Sequence, residues 1–175
     1  MIESKFFVLK QYSDTSEWAE VKRIAEDLIG YLNQPKILKL LDDANQPSVS
    51  SGVVQKIFLE KATELGFKDE SIGLFGEYAN RKLRPDYFLR LQTTGILMEV
   101  ERGKTNDNNM DFLDFWKCHI CKHADYLYLC VPKVLKQNAS VKTVKRPFQK
   151  VVLNMEPFFM TENSTNVKGM VIIGY

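Results

Sequence analysis

Cysteine is scarce in this chain: three residues in 175, an odd number, with Cys118 and Cys121 close together in one stretch and Cys130 in an apolar run. That argues against disulfide bracing and fits a reducing compartment. Long apolar runs are missing as well. None approaches the roughly 20 residues a membrane-spanning helix needs. The opening MIESKFFVLKQ lacks an apolar core long enough for a secretory signal. A cytoplasmic protein without a membrane partner is expected. An excess of one charge is also lacking, since 24 basic residues face 22 acidic ones for a net charge of +2. The sum neither demands nor forbids a nucleic-acid partner, so the distribution of charge matters more. There are no internal repeats and no low-complexity tract.

What is present suits one compact domain with a proper core over residues 1–175: 45% hydrophobic and 26% charged residues. Residues 1–50 read as a helical leader after a short extended lead-in over 2–11. From Asp14 to about Leu32, Trp18, Val21, Ile24, Ala25, Leu28 and Ile29 recur at helical spacing, with Ser13 or Asp14 to cap. A second helix starts at Pro35, where proline at the first turn costs nothing. A third, about Gly52–Leu65, ends at Gly66. Short extended pieces follow at Ser71–Phe75, Asp86–Leu91 and Ile96–Glu101. Residues 107–123 return to helix, with Met110, Leu113, Trp116 and Ile120 as the apolar face, and Asp125–Val131 reads as a buried strand. Residues 132–175 are a basic segment, a helix over 147–160 that Pro157 breaks or kinks, and a last strand.

The segment from Arg81 to Lys104 carries the chemistry. Alternation in Ile96–Glu101 puts Leu97, Glu99 and Glu101 on one strand face, the two carboxylates about 7 Å apart. If Gln92–Gly95 closes a hairpin, Leu91 pairs with Ile96, Asp86 falls opposite Glu101 and Phe88 opposite Glu99. Asp86 and Glu99 are then diagonal neighbours. Carboxylates this close repel one another unless a cation joins them. Hard oxygen ligands favour Mg²⁺ or Mn²⁺, which complete their shells with water and substrate phosphate. Phosphodiester hydrolysis is the chemistry this arrangement suits. The plainer reading is a set of solvent-facing acids on an amphipathic hairpin.

Pro85-Asp86, twelve residues, then Glu99-Val100-Glu101 resembles the PD-(D/E)xK signature of restriction-endonuclease-like nucleases, and the helix–strand–strand–strand–helix–strand order over 52–131 resembles their common core. The resemblance implies an α/β fold with a central mixed sheet flanked by helices (αβββαβ) behind an N-terminal helical extension. It implies metal held by Asp86, Glu99 and the Val100 carbonyl. Glu101 stands where the signature has lysine, a variant that resembles BamHI-like enzymes, with glutamine there in BglII-like ones. Glu101 is then the residue that orients or deprotonates water or takes a second metal. The same departure fits a degenerate, inactive relative.

Around these acids stand candidates with bland alternatives. By the resemblance, Glu60 borders the metal site from the preceding helix; otherwise it pairs on the surface with Lys56 or Lys61. Gln55 has a weaker claim to the same position. Arg102 and Lys104 follow the acids, and Lys104 stands in for the missing motif lysine or is a solvated loop charge. Arg81, Lys82, Arg84 and Arg90 flank Asp86. Downstream lie Lys133, Lys136, Lys142, Lys145, Arg146 and Lys150, with no acid among them, a phosphate-binding group or a solvated basic face. Lys117 and His119 are candidate phosphate or base contacts on the helix after the second motif. A zinc site from Cys118, His119, Cys121 and His123 is disfavoured, because one straight helix cannot aim both pairs at one ion. Tyr126 and Tyr128 share a strand face from which a hydroxyl reaches towards the site. The expected function is a Mg²⁺- or Mn²⁺-dependent endonuclease of restriction type on double-stranded DNA, working as a homodimer. The alternatives are a non-catalytic nucleic-acid-binding or assembly protein, or a structure-specific repair nuclease.

Overall fold

The structure, a computed structural model, describes residues 1–47, 49–69, 73–79, 83–102, 109–136 and 144–175. Three central strands explain the architecture. β4 (Gly95–Val100), β5 (Tyr126–Val131) and β6 (Gly169–Gly174) are buried along their whole length. Strands covered on both faces read as continuous apolar runs and pair in parallel, and β4–β5 and β5–β6 do so in register. Antiparallel strands close both edges: β1 (Glu3–Val8) on β6, and β3 (Tyr87–Arg90) on β4, with β2 (Lys68–Asp69) outermost. The six-stranded order is β1-β6-β5-β4-β3-β2.

One face is covered by α1 (Ser16–Leu32), α2 (Pro35–Ala44) and α3 (Ser51–Glu64). Their Val21, Leu28, Leu32 and Phe58 pack on Met98, Tyr128 and Val171. The other face is covered by α4 (Met110–Ile120) and α5 (Pro147–Met155), whose Phe115, Cys118, Val151 and Met155 pack on Leu97, Leu129 and Ile172. The first 50 residues thus supply an edge strand and two of the helices that close the core. Pro157 falls in a 3-10 turn directly after α5, where the break was expected.

Local chemistry accounts for most boundaries. Thr15, not Ser13 or Asp14, caps α1 by accepting from the Trp18 N–H at 3.2 Å. Gly66 ends α3 with φ +92°, the left-handed conformation glycine adopts freely. The expected strand at 71–75 is corrected: residues 74–77 form a turn, 71 and 72 lie outside the described residues, and the strand pairing with β3 is Lys68–Asp69. The β3–β4 register also differs by two residues from expectation. Leu89, not Leu91, pairs with Ile96, and Arg90 with Gly95. The loop begins at Leu91, whose N–H donates to the Thr94 carbonyl at 2.8 Å. Gly95 permits this closure. A Cβ there would meet Phe88 Cε2 at 2.3 Å, the Leu89 oxygen at 2.7 Å and the His123 oxygen at 2.8 Å.

Candidate active site

The register correction brings the acids closer than expected. Tyr87 pairs with Met98, so Asp86 comes opposite Glu99 rather than Glu101. The Asp86 N–H donates to Glu99 Oε2 at 3.2 Å. Asp86 is held on both carboxylate oxygens: Oδ2 accepts from the Val100 N–H at 2.8 Å, and Oδ1 from Gln55 Nε2 at 2.8 Å. The Tyr87 hydroxyl donates to the Gln55 carbonyl at 2.9 Å, tying β3 to α3. Burial raises the Asp86 carboxyl above its usual range, with the Val100 and Gln55 hydrogen bonds opposing. Burial also pushes the Tyr87 hydroxyl up to about 12, with Asp86 adding to it.

Glu99 carries the only carboxylate in the three central strands and is 3% exposed. An unpaired charge there would be costly. Its partner comes from α4: Lys117 Nζ donates to Glu99 Oε1 at 2.6 Å and lies 2.8 Å from Asp114 Oδ1, one helical turn back. Asp114 is fully buried, and the Lys117 ammonium is the charge that compensates its carboxylate. Burial raises Glu99, and the nearby Asp114 and Asp86 raise it further, against Lys117. Burial likewise pushes Asp114 up to about 6, with Lys117 opposing. Burial alone would lower Lys117, but the charges of Glu99 and Asp114 reverse that and hold it protonated. Asp111, also buried, accepts from Asn154 of α5 at 2.7 Å.

A cleft of about 430 Å³ opens beside Asp86, lined by Gln55, Lys56, Asp69, Arg84 and Tyr87 among others. Arg84 and Lys56 are exposed. Glu101 directly follows β4. Its N–H donates to the Cys130 carbonyl and its carbonyl accepts from the Tyr175 hydroxyl, at 2.9 and 2.5 Å.

The remaining expected residues are dispersed. Glu60 accepts from the Tyr31 hydroxyl at 3.2 Å, so Gln55 is the α3 side chain that meets Asp86. Arg102 is buried, its Nε donating to the Ala44 carbonyl at 3.2 Å. His119 lies towards the other end of the sheet. Its Nδ1 accepts from the Asn166 N–H at 3.2 Å, just ahead of β6, whereas Glu99 sits late in β4. Arg81, Lys82, Lys104 and Lys142 lie outside the described residues. The hydroxyls of Tyr126 and Tyr128 turn away from the site to α1, donating to Glu17 and to the Val21 carbonyl. All three cysteines are buried and outside any disulfide. Among the described residues no group of three or more histidine, cysteine or acidic side chains is disposed to hold a metal ion.

The inward face of α4 also differs from expectation. Asp111, Asp114, Phe115, Lys117 and Cys118 are buried, while Leu113 and Trp116 are 37% and 45% exposed. Sequence reasoning missed Asp69 and Asp114. The i,i+3 spacing of Asp114 and Lys117 was the available signal for the latter.

No protein-family model and no curated protein matches this sequence. Among solved structures, the chain is similar to restriction endonuclease BglII complexed with a DNA 16-mer. The TM-score is 0.54 and the identity 10%, covering 99% of this chain and 77% of that one. The likeness is one of fold: a mixed six-stranded sheet with flanking helices in a restriction endonuclease-like arrangement. Among the described residues no helix is long and apolar enough to cross a membrane.

Proposed function

We propose that the chain is a Mg²⁺-dependent nuclease acting on DNA, double-stranded by preference and as a homodimer, with Asp86 and Glu99 as its metal ligands. The observation that carries this reading is the contact between the Asp86 backbone and the buried Glu99 carboxylate, with Asp86 itself lining a cleft, within a restriction endonuclease-like fold. Two carboxylates suit Mg²⁺ or Mn²⁺, which keep several waters and need few protein ligands. The Val100 carbonyl is the third candidate ligand. Bound there, the ion supplies Lewis acidity to a phosphoryl oxygen and a more acidic water.

The chain's own residues do the rest. Gln55 and the Val100 N–H fix the Asp86 carboxylate so that its orientation is set before substrate arrives. Glu101 orients or deprotonates the attacking water. Lys117, rather than a residue of the following loop, is the described cation nearest the acids, and takes the part of the missing motif lysine. Lys56 and Arg84 on the cleft wall hold backbone phosphates.

Cleavage of mixed plasmid and single-stranded DNA with Mn²⁺ tests this, comparing the wild type with Asp86→Ala and Glu99→Ala. Loss of cutting in both folded variants is the expected result. Linear, circular and branched substrates separate a restriction enzyme from a structure-specific nuclease. A second reading, a catalytically degenerate binding protein, is favoured by one observation: Lys117 already neutralises Glu99. A wild-type chain that binds DNA but neither binds Mn²⁺ nor cuts would establish it.

A further inference from the structure

We propose that a cavity at the C-terminal ends of β5 and β6 binds a small organic anion, a ring-sized apolar body bearing one carboxylate or phosphate, and that Arg102 supplies the charge that holds it. The cavity measures about 310 Å³. Leu38, Leu41, Val134 and Tyr175 give it apolar walls, and Lys133 and Lys136 stand among them. It shares no lining residue with the cleft beside Asp86. In open α/β sheets, ligands bind outside the carboxyl ends of the parallel strands. Here the residues that follow three such strands meet: Arg102 after β4, Lys133 and Val134 after β5, Tyr175 after β6. Their backbones are tied together. The Tyr175 N–H donates to the Val131 carbonyl at 3.0 Å, and the Lys133 N–H to the Tyr175 carbonyl at 2.7 Å.

Arg102 is what points to an anion. It is 8% exposed and makes no ion pair among the described residues, and its Nη2 has no hydrogen-bond acceptor. A buried cation in that state is expensive unless a counter-charge reaches it. The guanidinium stands at the cavity wall. Its Nε donates to the carbonyl of Ala44, between the lining residues Leu41 and Asn45, at 3.2 Å. Burial raises the hydroxyl of Tyr175, another lining residue, and the Arg102 charge opposes it. The two lysines are paired, Lys136 with Asp42 at 2.7 Å and Lys133 with Glu3 at 3.8 Å. Pairs of this exposed kind are weak, so the ammoniums swing to an incoming anion at little cost. The volume lies at the low end of small-molecule pockets, which limits the apolar body to about one ring.

The experiment follows backbone amide NMR shifts of the full chain at low salt during titration with phenyl phosphate and with benzoate. Inorganic phosphate and benzyl alcohol, which carry the charge or the ring alone, are the controls. Both organic anions should move amides of 38–45, 133–136 and 175, and bind more tightly than either control. Arg102→Gln should weaken them by at least about tenfold, the effect of a unit charge within about 12 Å at an effective dielectric of about 20. Because that variant also disturbs the hydrogen bond to Ala44, Leu38→Trp is measured beside it. It fills the cavity from a half-buried position, leaves Arg102 in place and should abolish binding in a folded chain. Full affinity in either folded variant would overturn the proposal. So would a control that binds as tightly as phenyl phosphate. Shifts confined to 52–59 and 84–87 would put the anion in the Asp86 cleft and overturn it too, as would no shift with either organic anion up to about 10 mM.

Discussion

Replacing Lys117 with methionine should cost the fold more than any surface charge change. Lys117 is 8% exposed, and its ammonium lies within 2.8 Å of the carboxylates of Glu99 and Asp114, residues that are 3% and 0% exposed. Methionine keeps most of the stem volume and adapts to irregular space, so the loss is electrostatic rather than a cavity. Breaking a buried pair by removing one partner typically destabilises by about 3–5 kcal/mol. For a chain of this length that corresponds to a fall in Tm of roughly 6–20 °C, at 2–4 °C per kcal/mol. Partial protonation of Glu99 or Asp114 would bring the loss towards the lower end. Urea unfolding followed by far-UV circular dichroism gives the number. The control is Lys117→Met combined with Glu99→Gln and Asp114→Asn, which removes all three charges and should recover much of the loss, since apolar or neutral replacement of a whole buried ionic group is often close to neutral. A single-variant loss under about 1 kcal/mol, the range of exposed pairs, would refute the reasoning. So would a triple variant no more stable than Lys117→Met.

Gly95→Ala should destabilise by at least about 3 kcal/mol, the upper part of the overpacking range, because two of the three atoms its Cβ would meet are backbone oxygens. A change under 1 kcal/mol by the same unfolding assay would contradict the assigned register. Lys56→Gln and Arg84→Gln should each lower the slope of log binding against log salt for duplex DNA by about 1, measured by fluorescence anisotropy; unchanged slopes would remove the cleft as the backbone path. Light scattering should give twice the chain mass for the wild type. Trp116→Glu, on the exposed apolar side of α4, should reduce it to the monomer. A monomeric wild type, or a variant still dimeric, counts against pairing through that face.

Much of the fold was readable because burial and periodicity agree. The runs at 126–131 and 169–174 are apolar without alternation, as strands covered on both sides must be, and Trp18, Val21, Ile24 and Leu28 recur at helical spacing and are buried. The β3–β4 register was not readable, because the loop length alone leaves it open. It depends on the clearance around Gly95, which exists only once Phe88, Leu89 and His123 surround it. Spacing singles out Asp86 and Glu99 as candidates, but the expected diagonal relation is a direct opposition in the structure. Gln55 rather than Glu60 meets Asp86 for a similar reason: α3 buries Val54, Phe58 and Ala62, which leaves Gln55 beside β3, where the Tyr87 hydroxyl also donates to its carbonyl.

The orientation of α4 shows where apolar periodicity fails. Met110, Leu113, Trp116 and Ile120 form a regular stripe, yet the buried set is Asp111, Asp114, Phe115, Lys117 and Cys118, a rotation of roughly 100°, one residue's worth. Turning the stripe inward would bury more of Leu113 and Trp116. Complete burial of such a side chain is worth about 1.5–3 kcal/mol, and these two are already more than half covered. It would also swing Lys117 from the sheet and strand Glu99, which has no other described cation within ion-pair distance. An uncompensated buried charge costs about 3–5 kcal/mol, so the charge requirement exceeds what remains to be gained from the stripe. Next to a strand carrying one buried carboxylate, the helix is therefore oriented first by its lysine and only then by its apolar residues. The apolar residues left outside, Phe112, Leu113 and Trp116, follow from that same electrostatic demand.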